Sequence, residues 1–129
     1  MFGILIATWF GMTKASVDIG RTGEDIAAQY LTNKGYLIIE RNFRSQQGEV
    51  DIIARDGEFL VFIEVKNYSF RSIGTPLGAV RKSKRESIIH AARTYLFKNK
   101  IKGINCRFDV LSIYNMSQFQ LIKDAFHVN

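Results

Sequence analysis

Apolar and polar positions along the chain follow two periods. From about residue 22 to residue 33, Ile26, Ala27, Tyr30 and Leu31 recur at helical spacing. Thr22 followed by Asp25 resembles a capping box with Asp in place of the usual Glu, and Gly35 closes the segment. Tyr36 to Glu40 then reads as a first strand. Val50 to Ala54 and Phe59 to Val65, separated by Asp56-Gly57, read as two strands joined by a tight turn. The second is apolar as far as Ile63, as a central strand covered on both faces should be, which makes the charges at its end conspicuous. Ser69 to Gly78 contains the only proline, Pro76, and reads as a loop. Ile88, Ala91, Ala92, Tyr95 and Leu96 then mark an amphipathic helix with its charges outside the core stripe. Phe108 to Tyr114 is a fourth strand, expected to lie parallel to a neighbour because it follows a helix, and Phe119 to Phe126 is a candidate fifth. This order, α-β-β-β-α-β, predicts an α/β fold with a mixed sheet of four to five strands flanked by helices.

At 129 residues, with no repeat or linker, the chain has the size of one domain and can bury a sufficient core without staples. Cys106 is the only cysteine and no Cys/His cluster has zinc-ligand spacing, so the expectations are a reducing, cytoplasmic setting and no structural zinc. Residues 1–19 are set apart as an N-terminal extension ahead of a single domain over 20–129. The stretch Met1 to Phe10 is apolar, but it is too short to span a bilayer and lacks the preceding basic residues of a secretory signal. Met12 is an alternative start, which would leave part of the extension untranslated; otherwise it is disordered or packs as an added strand or helix. No membrane association is expected, and a homodimer is left open.

The formal net charge of +6 favours a polyanionic partner. Between Arg81 and Lys102 eight basic residues face the single acid Glu86, a bias greater than a merely solvated helix face needs. Arg81, Lys82, Lys84 and Arg85, with Arg44 and the loop residue Arg71, form the candidate nucleic-acid-binding set; Tyr68 and Phe70 are candidates for stacking on an unpaired base.

Candidate chemistry lies at the end of the apolar strand. Glu64 and Lys66 share a strand face because alternate side chains do. Asp51 joins them if the turn after Arg55 has an even number of residues; a four-residue turn sets it opposite Glu64. Two carboxylates aimed at one point repel unless a cation lies between them, and Mg²⁺ fits, with Mn²⁺ as a substitute. Lys66 can orient or help deprotonate a water and offset phosphate charge. Glu24 has two readings: it reaches the metal from the helix face turned to the sheet, or it complements the helix dipole. His90 and His127 lack a partner at ligand spacing, Arg107 and Asp109 read as a surface or edge ion pair, and no phosphate-binding glycine loop is present.

Five segments, Gly20-Arg21-Thr22-Gly23-Glu24, Arg41-Asn42-Phe43-Arg44, Gly48-Glu49-Val50-Asp51, Val61-Phe62-Ile63-Glu64-Val65-Lys66 and Arg107-Phe108-Asp109-Val110, resemble the bacterial YraN-like family of uncharacterised proteins. That family is grouped with Holliday junction resolvases and other PD-(D/E)xK nucleases of the restriction-endonuclease-like fold. The resemblance implies a three-layer fold, Asp51 and Glu64 as metal-binding acids, Lys66 as the catalytic lysine and Glu24 as an extra acid from the first helix. Two departures stand out: Asn67 and Tyr68 replace the usual Thr and Arg, and Arg85 replaces the usual Gln. The expected function is a Mg²⁺-dependent endonuclease acting on DNA, with branched or damaged DNA as candidate substrates. The competing expectation is a nucleic-acid-binding protein that keeps the nuclease fold without cleavage. Fold analogy does not choose between them.

Overall fold

The computed structural model of the chain describes residues 19–68 and 80–128, and among these residues it holds five strands and two helices. The order is α1 (Ile19–Asn33), β1 (Leu37–Ser45), β2 (Gly48–Asp56), β3 (Phe59–Tyr68), α2 (Lys82–Lys98), β4 (Asn105–Tyr114) and β5 (Gln118–Phe126). Residues 1–18 of the proposed N-terminal extension and the Ser69–Gly78 loop, with Phe70 and Arg71, lie outside the described residues, while Ile19 already belongs to α1. Sheet order follows chain order, β1-β2-β3-β4-β5, with every pair antiparallel except β3 and β4, which run parallel as expected of a strand reached through a helix. The fifth strand is present, and the α/β layering with a mixed sheet is as the apolar periods predict.

Among the described residues each face of the sheet carries one helix. On one side Ala27 and Leu31 of α1 pack on Ile52, Ala54, Val61, Ile63, Leu111 and Ile113. On the other, Ile88, Ala91, Ala92 and Tyr95 of α2 pack on Ile53, Leu60, Phe62, Phe108 and Val110. β3 is central and alternates between the two cores, which is why its sequence is apolar at consecutive positions.

Local chemistry explains the boundaries and corrects two expectations. Helix α1 already includes Ile19, three residues before Thr22, so Thr22 and Asp25 lie inside it and do not cap its start. Asp25 instead accepts a hydrogen bond from Arg41 at 2.8 Å. At the far end Gly35 takes φ +98°, and the Tyr36 N–H returns to the Leu31 carbonyl at 3.0 Å, a left-handed helix stop that suits glycine. The expected surface or edge pair Arg107–Asp109 lies deeper, with Asp109 buried and Arg107 partly so. Asp109 has no exposure, receives both ends of the Arg107 guanidinium at 2.9 Å, the Tyr36 hydroxyl at 2.7 Å and the Asp124 N–H at 2.9 Å. Arg107 also reaches Asp56 at 2.7 Å, so the network ties the β2–β3 turn to β4. Spacing showed that Arg107 and Asp109 share a face, but not that Tyr36 closes over it.

Candidate metal centre

The turn between β2 and β3 decides where the acids meet. Asp56 pairs with Phe59 across Gly57 and Glu58, and Arg55 with Leu60, an even register that extends to set Asp51 opposite Glu64. Backbone pairing of the two strands runs from there only to Ile52 and Ile63. Beyond it the Val65 N–H donates to Asp51 Oδ2 at 2.8 Å, so a side chain takes over from the ladder where the strands part.

The neighbouring strand bends at the same level. Asn42 adopts φ +55°, a left-handed conformation that asparagine tolerates better than most residues. Strand alternation breaks there: Arg41 reaches Asp25 of α1, whereas Phe43 lies edge-on to Tyr95 of α2, with ring centroids 5.3 Å apart. The register leaves Asn42 abreast of Asp51, between the pairs Arg41–Ile52 and Phe43–Val50.

The two carboxyl groups are hydrogen-bonded to each other, and both are held above the ordinary carboxylate range. Burial pushes Glu64 up to about 7, and the charge of Asp51 adds to that rise, while Lys84 and Lys66 act against it. For Asp51 burial again leads, opposed by the Val65 N–H and by Lys84. Glu64 is only 7% exposed, so near neutral pH the metal-free pair keeps a proton between its two groups.

Lys84, grouped in the sequence with the candidate nucleic-acid contacts, has its Nζ 4.0 Å from Glu64 Oε1. A close approach puts it there: a Cβ built on Gly48 would fall 2.1 Å from the Ser87 carbonyl oxygen, so only glycine lets α2 sit this low on the start of β2. The signal was present in the sequence, because Lys84 precedes Ile88 by four residues and continues the buried stripe of α2 instead of lying outside it.

The remaining candidates separate. Glu24 accepts a hydrogen bond from Asn42 Nδ2 at 3.1 Å and lies 3.7 Å from Arg41; its described contacts are with β1, not with Asp51 or Glu64. Among the described residues no group of three or more His, Cys, Asp or Glu side chains is placed to hold a metal ion. Of the metal ligands proposed from the sequence, Asp51 and Glu64 are the two that the structure brings together. Arg44 pairs with Glu49 at 3.5 Å and borders an open groove of about 430 Å³ beside Lys84, lined also by Ser45, Gly48 and Ser87. Arg81 and Lys82 are exposed, and Arg85 donates to the Val80 carbonyl. His90 is exposed, and His127 lies 2.9 Å from Asp124.

Residues 23–113 match the family described as "Uncharacterised protein family UPF0102". The chain is 46% identical over 116 residues to the UPF0102 protein of Clostridium kluyveri, covering 86% of this chain and 95% of that one. It is 46% identical over 110 residues to the UPF0102 protein of Persephonella marina, covering 85% and 94%. Against the UPF0102 protein of Clostridium perfringens identity is 42% over 122 residues, covering 91% and the full length.

Proposed function

Since the chain belongs to the uncharacterised protein family UPF0102, as its five segments implied, we propose from its acid pair that it is a divalent-metal-dependent nuclease acting on DNA. One observation carries this reading: a buried Glu64 and a half-buried Asp51, from different strands, face each other with an amine from α2 at their side. Opposed buried carboxyls are unfavourable in an apoprotein and make sense as oxygen ligands for a hard cation.

The donor set fits Mg²⁺ or Mn²⁺, because such an ion needs only one or two carboxylates when waters and phosphate oxygens complete its shell. Bound there, it would supply charge neutralisation at the phosphate and a more acidic water. The chain's own residues do the rest. The Val65 N–H fixes one oxygen of Asp51. Glu64 must give up its proton to ligate, so binding is coupled to pH. Lys84 offsets the negative charge of the pair, and Lys66, two residues beyond Glu64, places an ammonium where it can hold a phosphate oxygen or orient the attacking water.

The test is cleavage of single-stranded, duplex and four-way-junction DNA with Mg²⁺ or Mn²⁺. Asp51→Asn and Glu64→Gln are each expected to lower the rate by at least about 100-fold if they remove metal-bound charge stabilisation. Equal behaviour of wild type and both variants on every substrate would sink the nuclease reading. Salt-sensitive binding without cleavage would leave the second reading, a nucleic-acid-binding protein on the same fold, which the exposed Arg81 and Lys82 support.

A further inference from the structure

Beyond Lys66 the sheet surface continues into a small pocket with a different chemistry. In the parallel register Lys66 stands beside Ser112, and Tyr68 beside Tyr114; in the antiparallel register Ser112 stands beside Gln120, and Tyr114 beside Gln118. Adjacent strands lie about 5 Å apart, so these side chains form one patch leading directly off the lysine. At its edge Ser112, Tyr114, Gln118, Phe119 and Gln120 line a cavity of about 140 Å³. By the ~30 Å³ share of one liquid water, that is room for four or five waters, or for one small planar group.

Three features say what it would hold. None of the described lining residues is charged, so the pocket is not built for a phosphate. Ser112 is 2% exposed and its Oγ has no hydrogen-bond partner among the described residues, a desolvated hydroxyl that a ligand could satisfy. Tyr114 stacks on Tyr68 with ring centroids 5.6 Å apart and planes 20° from parallel, which presents a flat aromatic wall. Serine and glutamine side chains each both donate and accept, so they can meet the edge of any base. A neutral, planar, hydrogen-bonding group held one strand away from a phosphate-handling lysine is a nucleobase.

We infer that this pocket receives an unpaired nucleobase of the strand whose phosphate meets Asp51, Glu64 and Lys66. The inference rests on the nuclease reading for its orientation, but it can be tested apart from it. Binding of the full chain to short single-stranded oligodeoxynucleotides is measured in EDTA, where metal-dependent cleavage cannot intervene, with a single abasic residue moved along the strand. Loss of the base is expected to weaken binding about 5-fold or more at one position and little elsewhere. Ser112→Ala and Gln120→Ala should weaken binding of the intact strand and leave unchanged that of the strand abasic at the sensitive position, as a coupled pair does. An abasic penalty that is uniform along the strand, or undiminished in both variants, overturns the pocket. If wild type also cuts DNA with Mg²⁺ in that case, the nuclease reading stands alone. A position-specific penalty in a protein that never cuts leaves the pocket standing and removes the nuclease. No binding to any single strand overturns the pocket, while the nuclease reading is decided by cleavage with Mg²⁺ or Mn²⁺.

Discussion

Glu64 shows how much a single residue's environment matters here. Its carboxyl, ordinarily titrating near 4.5, is pushed up to about 7 by burial and by Asp51. In the metal-free protein the folded state therefore binds more protons than the unfolded chain between those two values. Stability should fall as pH rises through that window and level off above it, by on the order of 1–3 kcal/mol. Denaturation followed across this range in EDTA checks the effect, and Glu64→Gln should remove most of the slope. A wild type no more pH-dependent than the variant would mean that losing the shared proton does not strain the pair. Metal affinity should move the other way, strengthening as pH rises through 7, because ligation needs the deprotonated form. At the same scale, the pairing of Glu64 with Asp51 was legible in the sequence from strand alternation and an even turn. The contact of Glu24 with Asn42 was not, because it depends on a left-handed residue that no apolar period reveals.

Among the elements, α2 is the one whose position the chemistry depends on. Its height above the sheet is set by Gly48, and a methyl group there meets backbone, not a flexible side-chain end. Gly48→Ala is expected to lower stability by about 1–3 kcal/mol, as overpacking does, and to move Lys84 away from Glu64. Chemical denaturation measures the first effect. The second appears as a metal-free Glu64 titration, followed by NMR, displaced further upward once a nearby cation withdraws. An unchanged titration would show that the helix does not depend on this approach. The apolar stripe identified α2 itself, and consecutive apolar residues identified β3 as central. Periodicity was blind to how far a lysine at the head of that stripe reaches inward, since charged residues are normally assigned to the outside. The Tyr36–Asp109–Arg107–Asp56 network escaped for a related reason: its members come from separate elements, and only tertiary packing shows that they share one buried space.

Across the whole molecule, the acid pair and its cations come from different regions of a basic chain. No helix among the described residues is long and apolar enough to cross a membrane. A net charge of +6 favours a polyanionic partner on electrostatic grounds. If Arg81 and Lys82 contact phosphates, neutralising either should reduce the slope of log affinity against log salt by about 1, weakening all sequences alike. Fluorescence anisotropy over a salt series measures this, and unaltered slopes would remove α2 from the binding surface.

The parallel pairing of β3 with β4 has a further consequence, for the order of assembly. The β1–β2–β3 meander closes short loops, whereas β3 cannot meet β4 until the intervening stretch and α2 have been gathered in, a larger entropic demand. Asp51 and Glu64 both belong to the meander. Lys84 and Ser112 belong to what arrives afterwards. The acids are thus expected to face each other before the lysine that offsets them is in place. A shared proton at that stage would spare the nascent hairpin the repulsion of two bare charges.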